Sequence, residues 1–328
     1  MKAVVIREAG GPEVLAVKDV PEPAAPCKGE VRVRVKATAV NRADLLQRAG
    51  LYPPPPDASQ DVPGLEFAGI VEELGEGVTE VAPGDRVCGL AGGGTYAQAL
   101  TVHARTLARI PDNVSFTDAA AIPEAFLTAY DAMILQGRLA AGQWLLVSAV
   151  GSGVGTAAVQ IARAIGARSI GTARQQDKLD RAVELGMDRG LLVTDGKFAE
   201  PVKNLTGGVG VDVCLELVGG AYVAEDIACT RVSGHILVVG LVAGAKCDVN
   251  LGMVLRNRLT IKGTTMRMRP LEEKILAGQC LARNIMPLVE QGRLRPVIDQ
   301  VMPLSAAGDA HKCLEKNENF GKIVLEID

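Results

Sequence analysis

Through about residue 125, apolar positions recur with a period of two. The segments KAVVIRE (2–8), GEVRVRVKATAV (29–40) and FAGIVEELG (67–75) alternate or cluster β-branched residues, the pattern of half-buried strands. Between them lie PEPAAPCKGE (21–30), LYPPPPDASQDVPG (51–64), VAPGDRV (81–87) and LAGGGTY (90–96), where Gly and Pro mark turns and loops. The consecutive prolines 53–56 predict a stiff, extended loop, because proline locks φ and lacks a backbone donor. The expectation is a β-rich unit with long loops.

The rhythm changes at DAAAIPEAFLTAYDAMIL (118–135), whose apolar spacing is helical. Strand and helix patterns then alternate. Strands are expected at 144–150, 168–173, 190–193, 211–218, 235–242 and 259–263, with helices over 154–166, about 176–186, 198–205 and 221–231. Repeated βα units predict an α/β fold with a doubly wound parallel sheet covered by helices on both faces. A helical stretch over 271–292 precedes two short strand patterns, VIDQVMPL and KIVLEI, which are read as returns to the first unit. The expected organisation is a first part at 1–125, an inserted nucleotide-binding domain at 126–264 and a return segment at 265–328.

SAVGSGVGTAAVQIARAIGA (148–167) places Gly151, Gly153 and Gly155 where a strand passes into a helix. Glycine there lets the turn form, lets backbone N–H groups approach a ligand and lets helix pack close to strand. Val154, Ala158, Ile161 and Ile165 give the helix one apolar face. The helix N-terminus carries about half a positive charge, suited to a pyrophosphate. The spacing is A-x-x-S-G-x-G, with Ser152 at a usual glycine. Alone the motif is weak, since Gly-rich turns also serve as plain connectors. Its setting among βα units supports a dinucleotide site lined by Ser152, Gly153 and Val154.

The end of the second strand selects the dinucleotide. An acid there holds a ribose 2′-hydroxyl, but RSIGTARQQDKLD (168–180) has Arg174 after Ala173, and Lys178 one helical turn on. Charge-assisted hydrogen bonds are worth about 1.5–3 kcal/mol each, so the pair favours NADPH over NADH by on the order of a hundredfold. The bland alternative is a solvated Arg and Lys at a helix start, with Asp177 and Asp180 as partners. Gly240, Leu241 and Val242 are expected at the carboxyl end of the 235–242 strand, where open parallel sheets bind ligands.

Composition narrows the classes. The chain has 328 residues, net charge −3 and 3% aromatics, so neither nucleic acid nor a membrane surface is an expected partner. The seven cysteines are dispersed without a C-x-x-C pair, which fits reduced thiols in a cytoplasmic protein. No secretory leader or membrane span is expected. The histidines 103, 235 and 311 lack ligand spacing and are read as structural or surface residues; no metal site is expected.

NRADLLQRAGLYPPPP (41–56), AAAIPEAFLTAY, SGVGTAAVQ, GLVAG and the ending NFGKIVLEI resemble, over essentially the whole chain, the zinc-free quinone oxidoreductases of the medium-chain dehydrogenase/reductase superfamily, most of all the PIG-type, tumour-suppressor-induced NADPH quinone oxidoreductases. The resemblance implies a GroES-like catalytic domain interrupted by a Rossmann domain, and a homodimer, for which HILVVGLV (235–242) is the candidate edge strand. Zinc-dependent relatives carry a cysteine near position 41 and a histidine in G-H-E-x-x-G; here stand Asn41 and Gly64-Leu65-Glu66-Phe67-Ala68-Gly69. Without a Lewis acid to polarise an ordinary ketone, the substrate is expected to be a quinone or a conjugated carbonyl compound.

The resemblance places Asn41 and Tyr52 beside nicotinamide and substrate. A phenol keeps its proton at neutral pH and can donate to a developing oxyanion. Tyr52 as a cap on the proline loop, and Asn41 as a turn former, remain the alternatives. Thr128 is implied near the nicotinamide ribose or a phosphate, or is an internal helix residue. Met266, Arg267, Asn319 and Lys322 resemble cofactor contacts, with structural roles equally open. Where relatives carry an aromatic after the third Rossmann strand, this chain has Val193. Reduction of the C=C bond of enones or alkenals, and a non-catalytic NADPH-binding regulator or structural protein, are the competing functions.

Overall fold

A computed structural model describes residues 1–328. The strands in chain order are β1 (Lys2–Ile6), β2 (Leu15–Asp19), β3 (Glu30–Val40), β4 (Glu66–Leu74), β5 (Arg86–Leu90), β6 (Ala99–His103), β7 (Leu107–Arg109), β8 (Trp144–Val147), β9 (Arg168–Ala173), β10 (Arg189–Leu192), β11 (Val211–Glu216), β12 (Thr230–Val238), β13 (Thr260–Gly263), β14 (Ile298–Pro303) and β15 (Lys322–Glu326). The chain divides into two compact units, one formed by residues 1–127 and 266–328, the other by residues 128–265.

In the first unit β1 and β2 form a small antiparallel sheet, and a larger sheet runs β14-β15-β3-β4-β5-β7, with β6 also on β3. The returning strands join as expected: β15 pairs antiparallel with β3, and β14 parallel with β15. In β3, Val31, Val33 and Val35 are buried while Arg32 and Arg34 are not; from Ala37 to Val40 every residue is buried. Alternation gives way to continuous burial where both faces of the strand are covered. Each buried valine contributes about 1.5–3 kcal/mol relative to exposure. The core gathers around Phe67, Tyr96 and Leu325.

The second unit is a six-stranded sheet in the order β10-β9-β8-β11-β12-β13, with every pairing parallel. Counted from its first strand, this is the order 3-2-1-4-5-6, which places a topological switch point between β8 and β11. Strand β9 is buried from Ser169 to Ala173, the near-continuous burial of a strand covered on both faces.

Three expectations need correction. The strand expected over 235–242 ends at Val238. Val239 and Gly240 turn their N–H groups onto Glu216 O at 2.8 and 3.2 Å, so Gly240, Leu241 and Val242 lie in the following loop, with Leu241 and Val242 exposed. The same segment is not an edge. Strand β12 is flanked by β11 and β13, and β13, exposed along its length, is the edge. The 271–292 helix is also interrupted: α-helical from Leu271 to Cys280, it widens to π-helical turns over Leu281–Ile285 before Met286–Glu290. No helix is long and apolar enough to cross a membrane.

Candidate cofactor and active site

In the second unit the glycine turn follows β8 at the switch point. Ala149 takes the left-handed conformation, φ 48°, uncommon for a residue with a Cβ. Ser152 caps the helix Gly153–Ala164, its hydroxyl accepting from Gly155 N at 3.0 Å. A Cβ on Gly155 would meet Val150 O at 2.6 Å and Ala149 O at 2.8 Å, so close packing of helix on turn requires glycine there. The N–H groups of Gly153 and Val154 open the first turn, where no intrahelical acceptor exists. Both residues are half-buried. Such a helix N-terminus has the geometry that suits a phosphate.

At the end of β9, Arg174 is exposed and Lys178 half-buried, and Asp180, two residues beyond Lys178, accepts from Gln176 at 2.8 Å. No acid ends that strand. A Cβ on Gly240 would meet Leu217 O at 2.3 Å, so the loops after β11 and β12 pack backbone to backbone. Val193 is buried. Thr128 is buried in the helix Pro123–Tyr130, which continues as π-helical turns over Asp131–Gln136; such bulges recur at functional sites.

The first unit brings Asn41 and Lys322 together on Glu66. The Lys322 ammonium lies 2.6 Å from Asn41 Oδ1, 2.8 Å from Glu66 Oε1 and 3.0 Å from Val40 O. Asn41 Nδ2 donates to Glu66 Oε1 at 2.9 Å, and Glu124 N donates to Glu66 Oε2 at 2.8 Å. Glu66 and Lys322 are both buried. Asn41 also caps the helix Arg42–Arg48 in a reciprocal box with Asp44. Asn319 is held locally, Nδ2 donating to Gly321 O at 2.7 Å. The carboxyl of Glu124 is pushed up to about 8 by burial and then by the nearby Glu66 charge. Glu66 was legible only as a charge inside the apolar run LEFAGIV; a buried charge demands a partner, but its partner lies far along the chain.

Tyr52, half-buried on the proline loop, is gripped by Arg267. The guanidinium lies 5.3 Å from the Tyr52 ring centroid and donates to Tyr52 O at 3.2 Å, to Gly92 O at 2.7 Å and to Gln47 Oε1. Arg267 therefore anchors the proline loop. Met266 and Arg267 join Leu65, Leu90, Glu124 and Lys274 in lining a small cavity of this unit.

The profile described as "Zinc-binding dehydrogenase" matches residues 153–279, and that of the "Alcohol dehydrogenase GroES-like domain" matches residues 27–112. Quinone oxidoreductase of Sus scrofa is 31% identical over 330 residues, which cover 99% of this chain and 97% of the relative. The spectinabilin polyketide synthase system protein NorB of Streptomyces orinoci is 36% identical over 331 residues; the match covers 98% of this chain but only 14% of NorB. Among solved structures, an NAD-dependent alcohol dehydrogenase superposes with TM-score 0.88 at 37% identity, each chain covered in full. Escherichia coli quinone oxidoreductase complexed with NADPH gives 0.89 at 29%, again with both chains covered in full, and a 2-haloacrylate reductase gives 0.84 at 28% with the same coverage.

A catalytic zinc does not fit the residues at Asn41 and Glu66. The oxygens that could serve a cation already hold the Lys322 ammonium, and a buried ammonium repels a divalent ion. A nicotinamide dinucleotide does fit the second unit: a helix N-terminus at the switch point and a glycine that keeps helix and turn close. With near-complete coverage by quinone oxidoreductases above 30% identity and both domain profiles in place, the chain belongs to the quinone oxidoreductase family of the medium-chain dehydrogenase/reductase superfamily.

Proposed function

We propose that this protein is a zinc-independent, NADPH-dependent reductase of quinones. The observation that carries the reading is the Lys322 ammonium seated on Asn41 and Glu66. With that ammonium held by the Asn41 and Glu66 oxygens, those residues are not free to ligate a Lewis-acid metal, and the reading takes an acceptor that is already electrophilic. When bound, the reduced nicotinamide supplies the hydride. The chain's own residues hold and orient. Gly153 and Val154 N–H groups, beside the Ser152 cap, receive the pyrophosphate. Arg174 and Lys178 hold the 2′-phosphate. Gly240, Leu241 and Val242 border the cofactor from their loop, and Thr128 takes part at the ribose. Asn41, fixed by Glu66 and Lys322, orients the nicotinamide amide. The Tyr52 hydroxyl donates to the oxygen on which charge develops, and Arg267 keeps its loop in place.

Reduction of an enone C=C bond is the second reading, supported by the similarity to a 2-haloacrylate reductase. An NADPH-binding protein without turnover is the third. Pairing of two copies through the exposed β13 edge, with Leu251 and Leu255 exposed on the preceding helix, is the proposed dimer; a bare edge strand is relieved by pairing. A monomer by light scattering at micromolar concentration contradicts it. Reducing surroundings such as the cytoplasm suit the free thiols.

The test is steady-state turnover of Arg174→Ala and Tyr52→Phe with an ortho-quinone and an enal. Arg174→Ala should raise the KM for NADPH about tenfold or more and leave that for NADH in place. Tyr52→Phe should lower kcat on the order of 100-fold with NADPH binding kept. Equal losses with both cofactors remove Arg174 from the 2′-phosphate, and an unchanged kcat removes Tyr52 from the mechanism.

A further inference from the structure

Strand β11, the helix Tyr222–Cys229 and the start of β12 enclose a cluster that the proposed reaction does not use. Donor atoms of Cys214, Asp226 and Cys229 all lie within 4.8 Å of one another, and all three residues are buried. Cys214 Sγ is 3.1 Å from Thr230 Oγ1, and Cys229 Sγ is 3.6 Å from Asp226 O. Neither carboxylate oxygen of Asp226 has a hydrogen-bond donor, nor does Glu216 Oε2, although Asp226 is 1% and Glu216 0% exposed. Glu216 Oε1, in contrast, receives Val218 N and Gly219 N. Thus one oxygen of Glu216 is locked to the backbone while the other, with Asp226, waits for a positive partner.

Two ionised carboxyls without donors cannot coexist in the interior of a sheet. Something positive must stand there: a proton or a metal ion. The adjacent thiols decide which chemistry the cluster can reach. Two sulfurs and carboxylate oxygens match the tetrahedral ligand preference of zinc, with sulfur at about 2.3 Å and oxygen at about 2.0–2.2 Å. Such ligand atoms are about 3.3–3.8 Å apart, so the donors of Cys214, Asp226 and Cys229 need to close by about 1.5 Å at most.

We propose that Cys214, Cys229 and Asp226 bind a structural Zn²⁺ in the second unit, with Glu216 Oε2 completing the fourth position. On binding, the ion displaces the two thiol protons and the proton shared by the two carboxyls to solvent; no electron moves. Because thiols and carboxyls ligate in their deprotonated forms, zinc affinity rises with pH. Because the cluster is sealed, loading accompanies folding.

The full chain, unfolded and refolded with Zn²⁺ or with chelator, tests this directly. Refolding with zinc should give a stoichiometric ion retained through desalting and should protect Cys214 and Cys229 from alkylation. Refolding with Co²⁺ should give the near-ultraviolet thiolate-to-cobalt charge-transfer band. Cys229→Ser and Asp226→Asn should abolish retention, and Glu216→Gln should weaken it about 10- to 100-fold. A wild-type chain that refolds without retaining zinc or showing the cobalt band overturns the site and leaves a shared proton in its place. Retention that survives in a Cys214→Ser/Cys229→Ser double variant also overturns it, since the metal then sits on other cysteines. Should the serine variants fail to fold, the wild-type cobalt spectrum and Glu216→Gln still decide.

Discussion

The two units bury charge in opposite ways. In the first, the groups around Glu66 and Asp44 form a connected network. Lys322 sits on Glu66 and Asn41. Nearby, Arg48 reaches His311 Nδ1 at 3.4 Å, His311 Nε2 lies 3.2 Å from the Tyr96 hydroxyl, and that hydroxyl donates to Asp44 at 3.2 Å. Asp44 further accepts from Asn41 N at 2.8 Å and Gly64 N at 3.2 Å. In the second unit, Asp226 and Glu216 Oε2 stand without donors, and Ala149 holds a left-handed backbone beside the glycine turn. A closed network fixes one geometry. Unmet valence and local strain are tolerable where a ligand is to be received.

The largest way to break this contrast is to remove a partner from the closed network. Lys322→Met leaves Glu66 buried and unpaired and should cost about 3–5 kcal/mol in urea unfolding. The double variant Glu66→Gln/Lys322→Met should recover most of it. Asp226→Asn in metal-free protein should change stability by only about 1 kcal/mol or less, because the neutral amide can donate to Glu216 in place of the shared proton. Equal losses at the two places would erase the distinction.

Acid separates the groups within the closed network. Burial, then the Arg48 charge, lowers the His311 pKa from 6.5 to about 3. The unfolded chain therefore binds the extra proton between those values, and stability falls as pH drops from about 6.5 toward 3. Burial raises Asp44 from 3.8 to about 6, so its contribution runs the other way and falls as pH rises through that window. His311→Gln should flatten the acid-side loss in thermal unfolding measured from pH 7 to 4. An acid profile unchanged by this variant would mean that the histidine is already protonated in the fold. Ala149→Gly should raise stability by about 1 kcal/mol by relieving the left-handed alanine. A loss instead would show that this conformation is not strained.

Local pattern made most of the fold legible. The alternation in β3, the glycine turn after β8 and the βα rhythm are near-neighbour properties, read from side-chain period and backbone freedom. Strand β12 was misread at both levels. Its apolar run ILVVGLV continues past the last ladder pair because the following loop is also apolar, and its place inside the sheet depends on β13, laid down later. The candidate site split along the same line. Ser152, Gly153, Val154 and Arg174 follow directly from the turn and strand end. Lys322 meets Asn41 across 281 residues, a distance no spacing rule spans. Cys214 and Cys229 are not a metal motif in sequence; the crossover from β11 through its helix to β12 brings them together.

The most direct measurement is the initial rate of NADPH oxidation with an ortho-quinone as acceptor, with and without a chelator, and with NADH in parallel. The account predicts turnover that a chelator leaves unchanged over the assay and a marked preference for NADPH. Loss of activity on chelation, equal or better use of NADH, or no turnover with quinone would contradict it.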